Sequence, residues 1–335
     1  MQGFEENEIS KKAFGGTEIT KRSLSKLVPE KLANEFQIIP SRLREINEEK
    51  IRIYWMHDLA EDPELKHLKE AKSRDRFHKF VFNCNWQMND FITKLGMPFD
   101  NKIQVIETPV EPIALLPKDK DKVNLIYFST PQRGLDLLVP VFEELSKKHP
   151  NVHLDVFSSF KIYGWEDADK QFEPLYERIR QHPQMTYHGF APQEKLREYI
   201  QKAHILAYPN HWEETACRVL IESMSAGLLC VHPNLAALSD TSGMLTSMYQ
   251  FNADTAKHAN MFYHYLNHAV NVVNDEPVQN YLKFVKAYAD RRFDPRMISS
   301  QWISLMEDLL KVLPTVESRK IPIDTSSKMF IYKTC

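Results

Sequence analysis

Short apolar runs recur along the chain, and most are followed by a stretch whose apolar residues fall at helical intervals. In the first third the runs are EFQIIP (35–40), RIYWMH (52–57), KFVFNC (79–84) and IQVIET (103–108). A second series runs through VNLIYF (123–128), HLDVFS (153–158), MTYHG (185–189), HILAY (204–208) and LLCVHP (228–233). Helices are predicted from Leu135, near 168–181 and from Gln193. Apolar strands alternating with helices predict parallel sheets covered on both faces, an α/β class with doubly wound halves. Between the two series, EPIALLPKDKDK (111–122) carries prolines and closes on charge, so the domain boundary is predicted there. From Asp254 the pattern is helical to the last long element, PRMISSQWISLMEDLLKVL. The predicted division is 1–111, 112–285, and a last helix with tail, 286–335.

A chain of 335 residues accommodates two such domains, and 43% hydrophobic with 26% charged residues is a soluble globular composition. Lys+Arg 43 against Asp+Glu 45 gives a net charge of −2 and no reason to expect nucleic acid as partner. The polar start MQGFEENEISKK and the lack of any apolar run near ~20 residues set the expectation at cytoplasmic. Cysteines at 84, 217, 230 and 335 show no metal spacing and are expected to be reduced. No metal and no cofactor is expected. A G-x-G-x-x-G fingerprint is absent, which disfavours a nicotinamide oxidoreductase.

The densest stretch is Tyr208 to Gly227, YPNHWEETACRVLIESMSAG, predicted as strand end, loop and a helix from about Thr215. Glu214 and Glu222, eight positions apart, would then differ by ~80° in azimuth and ~12 Å along the axis. The amides of Thr215, Ala216 and Cys217 would open the helix at its positive end, where a phosphate is favoured. An anion between two hydroxyl-binding carboxylates suggests a phosphate flanked by two sugars. The plain alternative is a helix capped by Glu214 with Glu222 solvated.

Glu, seven residues, Glu, a small residue, Met and an Ala-Gly ending resemble the donor-site signature of family 4 glycosyltransferases. FSSFKIYG (157–164), YHGFAPQEKL (187–196) and NLAALSDTSG (234–243) resemble that family in the same order. The resemblance implies a GT-B fold: two Rossmann-like domains facing a cleft. It also implies a retaining transfer from a nucleotide-diphosphate sugar to a hydroxyl acceptor such as a glycan. On it, Glu214 contacts the transferred sugar, Glu222 the ribose, and Thr215 to Cys217 the diphosphate. Arg133, before Gly134, takes the family's basic position, while Ser129 and Thr130 stand where many members have a second arginine, leaving Thr130 as a neutral donor. A binding or scaffold protein of the same fold is the alternative.

GGTE, with Gly15 and Gly16 before a helix that Thr17 can cap, resembles the family's glycine loop beside the donor. His57, at the end of a strand, matches a family histidine near the transferred sugar. Thr108-Pro109-Val110 departs from the family's Asn-Gly-Val. The basic run LKHLKEAKSRDRFHKF (65–80) suits an anionic acceptor, a weak peripheral membrane contact, or simply a solvated helix face. No strand precedes the glycine pair. The tail MFIYK (329–333) is therefore expected to fill the first-strand slot, as in a circularly permuted chain.

Overall fold

The computed structural model describes residues 15–43 and 45–321, so the MFIYK tail (329–333) lies outside the described residues. The chain divides into two units: residues to Pro109 with those from Phe293 onward, and Val110–Arg292. The proline-bounded stretch belongs to the second unit. There the Ile113 amide donates to Ser225 Oγ at 2.9 Å, and Lys118 Nζ donates to the Gly227 carbonyl at 3.0 Å.

In the first unit, α1 (Gly16–Leu27) and α2 (Glu30–Ala33) precede a sheet of β1 (Phe36–Pro40), β2 (Ile51–Trp55), β3 (Lys79–Phe82) and β4 (Ile103–Val105). Helices α3 (Ala71–Arg74) and α4 (Asn85–Leu95) stand between its later strands. The strands are parallel and lie in sequence order, with Ile38 beside Ile53 and Phe80 beside Ile103. Every residue of β1 and β2 is buried, as expected of a sheet covered on both faces. Successive residues serve opposite faces: Ile51, Ile53 and Trp55 meet one cluster, Tyr54 and Met56 the other.

Two expectations change here. Helix α1 begins one residue before Thr17, with Gly15 at the N-cap in ordinary extended backbone and no side-chain cap. The basic run is not one helix face. It forms a 3-10 stretch, Pro63–Lys69, then α3. Leu65, Leu68 and Phe77 enter the core, while Lys66, Lys69 and Lys72 stay exposed.

The second unit carries β5 (Val123–Phe128), α5 (Leu135–Lys148), β6 (Val152–Phe157), α6 (Glu173–Gln181), β7 (Met185–Tyr187), α7 (Gln193–Lys202) and β8 (Ile205–Ala207). It continues with α8 (Arg218–Ser225), β9 (Leu229–Pro233), α9 (Leu238–Ser242), β10 (Ser247–Tyr249), α10 (Thr255–Val272) and α11 (Glu276–Arg292). Its six parallel strands run β10-β9-β8-β5-β6-β7, so strand order reverses between β5 and β8. Ligands of such sheets settle outside the carboxyl ends of the strands at that reversal. Strand β10 was not anticipated, because only Tyr249 of its three residues is buried and no apolar run marks it. Among the described residues no helix is long and apolar enough to cross a membrane.

Helices α12 (Pro295–Val312) and α13 (Val316–Arg319) return to the first unit. Pro295 sits at the first position of α12, where a missing N–H costs nothing, and the Asp294 carboxylate accepts from the Arg296 amide at 2.7 Å. Ile298, Trp302 and Met306, four residues apart, form one buried stripe against Leu24, Phe36, Ile53 and Trp55. The Trp302 ring meets Trp55 edge to face at 5.2 Å between centroids. Trp302→Ala should lower stability by about 3–5 kcal/mol in guanidinium unfolding. Trp302→Phe should cost less, since it keeps a ring on Trp55 and removes a buried indole N–H that lacks a hydrogen-bond partner. An unchanged midpoint for the alanine variant would show that α12 is not part of this core.

Candidate active site at the carboxyl edge of the second sheet

Two loops leave the sheet where its strand order reverses. After β5 the chain turns through Thr130 and a 3-10 segment, Pro131–Arg133, and the Tyr127 hydroxyl holds the turn by donating to the Thr130 carbonyl at 2.8 Å. Gly134 follows with φ +104°, and a Cβ there would lie 2.2 Å from the Pro209 carbonyl oxygen. Only glycine permits both the backbone conformation and this approach. The contact presses the Arg133 turn against the loop that leaves β8.

That second loop carries Glu214. Its Oε1 accepts from the Tyr208 hydroxyl at 2.7 Å and lies 3.2 Å from Arg133 Nη1. Its carbonyl accepts from the Ala237 amide at 3.2 Å, so backbone and carboxylate are both fixed. Glu214 is 7% exposed. Burial would lower the Arg133 pKa, but the Glu214 carboxylate together with Tyr163, Tyr208 and Cys217 more than offsets it and the pKa rises. Burial and then Glu214 raise the Tyr208 and Cys217 pKa values, so both stay protonated at neutral pH. The Cys217 thiol is thus no nucleophile.

The helix after this loop begins later than expected. Helix α8 starts at Arg218, with Cys217 as an extended N-cap, so Thr215, Ala216 and Cys217 belong to the loop. The first-turn amides are those of Arg218, Val219 and Leu220. Glu214 and Glu222 therefore do not share one helix, and the angle and rise computed for a continuous helix do not apply. A buried carboxylate anchored to Tyr208 outweighed local helix propensity. Glu222, 3% exposed, faces two donors: Gln193 Nε2 at 3.0 Å and, in an ion pair, Arg218 Nε at 2.9 Å.

Arg218, Gln193 and Tyr208 were not singled out from the sequence. Only Arg218 had a signal there, four residues before Glu222 on a predicted helix. Four buried polar atoms without partners lie in the turns after β5 and β6: Thr130 Oγ1, Gln132 Oε1, Arg133 Nε and Ser158 Oγ. Such atoms are rare in folded proteins and mark places where a polar ligand fits. Lys161, in the segment after β6, pairs with Glu166 at the surface, at 3.1 Å.

The remaining candidates belong to the first unit. His57 follows β2, with its ring 4.2 Å from that of Trp55, its amide donating to Ser41 Oγ at 2.8 Å, and Asn83 Nδ2 3.4 Å from its Nδ1. Burial pushes its pKa down to about 3, so the ring is neutral at pH 7. Gly15 caps α1, and Gly16 is exposed with open space around it. Among the described residues no group of His, Cys, Asp and Glu is arranged to hold a metal.

Residues 113–241 match the family model of glycosyl transferases group 1. A glycosyltransferase from Rickettsia africae superposes with a TM-score of 0.66 at 14% identity, covering 92% of this chain and 84% of that one. Anabaena HepE, crystallised with UDP-glucose, superposes with a TM-score of 0.57 at 14% identity, covering 86% and 81%. Sucrose-phosphate synthase from Thermosynechococcus elongatus gives 0.62 at 14%, covering 78% and 68%. A search of curated protein sequences finds no significant match. At these identities the superpositions show the fold, which is GT-B.

Gly134→Ala tests the contact on which the site is built. It should lower stability by about 2 kcal/mol or more through positive-φ strain and the clash with Pro209. It should also raise the exposure of Arg133 to water in hydrogen–deuterium exchange of the 129–135 segment. A variant with wild-type melting and exchange would show that the two loops need no such approach.

Proposed function

We propose that this group 1 glycosyltransferase moves a sugar from a nucleotide-diphosphate donor to a hydroxyl acceptor such as a glycan, with retention of anomeric configuration. One observation carries the reading. At the reversal of strand order, buried Glu214 and half-buried Arg133 are held as a pair beside the start of α8, and Glu222 is fixed one helical turn inside it. Carboxylates held rigidly as acceptors suit sugar hydroxyls, which donate. Arginine beside a helix N-terminus suits phosphate oxygens, which accept.

In this scheme Glu214 orients the transferred sugar and Glu222 the ribose. Arg133, Thr130 and the segment from Thr215 to the first turn of α8 hold the diphosphate. As the glycosidic bond to the diphosphate breaks, negative charge gathers on the departing oxygen, and Arg133 with the helix dipole stabilises it without rearrangement. The acceptor hydroxyl bonds to the anomeric carbon from the face the diphosphate leaves, and its proton passes to the leaving phosphate. No covalent glycosyl-enzyme is invoked, since in this scheme both carboxylates accept from hydroxyls, Glu214 from the transferred sugar and Glu222 from the ribose. The arginine side chains supply the charge a cation would bring, so the reaction is proposed to need no metal. In the first unit, neutral His57 is assigned to the transferred sugar or the acceptor, and the Gly15-Gly16 turn to the donor.

Among the described residues Cys84, Cys217 and Cys230 are buried thiols, which suits a reducing cytoplasm. Exposed Lys66, Lys69 and Lys72 suit a weak contact with an anionic membrane surface.

Thermal shift against UDP, GDP, ADP and their sugars should name the donor by a rise in Tm. Glu222→Ala should weaken donor binding at least tenfold. Arg133→Ala should lower kcat by about 10²–10³, the range for losing one oxyanion donor. EDTA should leave turnover unchanged. If no diphosphate raises Tm and both variants keep full transferase activity, the reading is wrong.

A further inference from the structure

Each carboxylate of the site is matched by its own arginine, Glu214 by Arg133 and Glu222 by Arg218. Resting on the donor-site reading above, we infer that Arg218 is a second diphosphate-binding cation, which Glu222 holds until the donor arrives. Its place in the helix is the first argument. Arg218 is the first residue of α8, a helix with no acidic residue in its first turn and no basic one in its last. That is the end at which a helix disfavours a cation. The pairing also runs against the helix, with Arg preceding Glu by four residues, the weaker of the two orders. The Glu222 carboxylate offsets that placement, and an anion at the helix mouth would remove the conflict.

Charge balance is the second argument. The two pairs sum to zero, so a diphosphate arriving alone meets arginines already neutralised. A nucleotide sugar brings both complements at once: its phosphates accept from the arginines, and its hydroxyls donate to the carboxylates the arginines leave. Independent of the helix end, Thr130 Oγ1 in the adjoining turn is buried, 4% exposed and without a partner, and so offers a further phosphate contact. Arg218 thereby couples recognition of the diphosphate to recognition of the ribose at Glu222.

The test uses the full chain and whichever of UDP, GDP and ADP most raises Tm, with its nucleoside and inorganic pyrophosphate as controls. Isothermal titration should show Arg218→Gln binding the diphosphate and pyrophosphate at least tenfold more weakly, with nucleoside affinity by ligand-observed NMR within twofold of wild type. Arg218→Lys should recover part of the loss. The double variant Arg218→Gln/Glu222→Gln should stay weak, because the cation is missing whether or not Glu222 is charged. Wild-type diphosphate affinity in Arg218→Gln would overturn the inference and leave the donor site standing. So would recovery in the double variant, which would reduce Arg218 to neutralising Glu222. If the wild type binds none of the diphosphates and no pyrophosphate, this inference falls together with the donor-site reading.

Discussion

The pairing of half-buried Arg133 with buried Glu214 is the interaction on which the second unit's candidate site depends. Such a pair contributes little net stability, because desolvation opposes the attraction, yet removing Arg133 would strand the buried Glu214 carboxylate. Its value here is positional. Arg133 sits on the turn after β5, Glu214 on the loop after β8, and those two strands are neighbours only because the sheet reverses its order between them. Gly134 brings the two loops within reach by letting backbone meet backbone, and Tyr208 completes the clamp from the end of β8. A site built this way is organised before any ligand arrives.

The same logic of fixed partners extends to Glu222. It is held between Gln193, at the start of α7, and Arg218, at the start of α8, so the mouths of two helices converge on one carboxylate. Orphaned hydroxyls at Thr130 and Ser158 lie on the turns after β5 and β6. Acceptors that expect donors and donors that expect acceptors thus occupy one edge of one sheet, the chemistry that a sugar joined to a diphosphate presents.

The first unit solves a different problem. Its inner strands bury both faces, and α4 between its strands attends to one face, leaving the cluster around Ile53 and Trp55 to be covered from elsewhere. Helix α12 supplies that cover with Ile298, Trp302 and Met306. Arg319 ties the chain's return further, pairing with Glu35 at 2.8 Å while its carbonyl accepts from Arg52 at 3.3 Å. Segments nearly 270 positions apart in sequence therefore share one core.

Apolar runs alternating with helical spacing determined the α/β class, the two sheets and most strand positions, because a buried parallel strand must be apolar over its whole length. The paired glutamates and the Arg-Gly turn stood out as candidates by residue type, but the helical spacing expected of the glutamates did not survive, because α8 begins only at Arg218. Strand β10 was not, because it is half exposed, and the basic run at 65–80 misled because its apolar residues lie among charges. Only the tertiary structure decided where α8 begins, which arginine faces which glutamate, and that Gln193 and Tyr208 belong to the site. Those outcomes hinge on strand order and on one backbone approach at Gly134, contacts between segments tens of residues apart that no local pattern encodes.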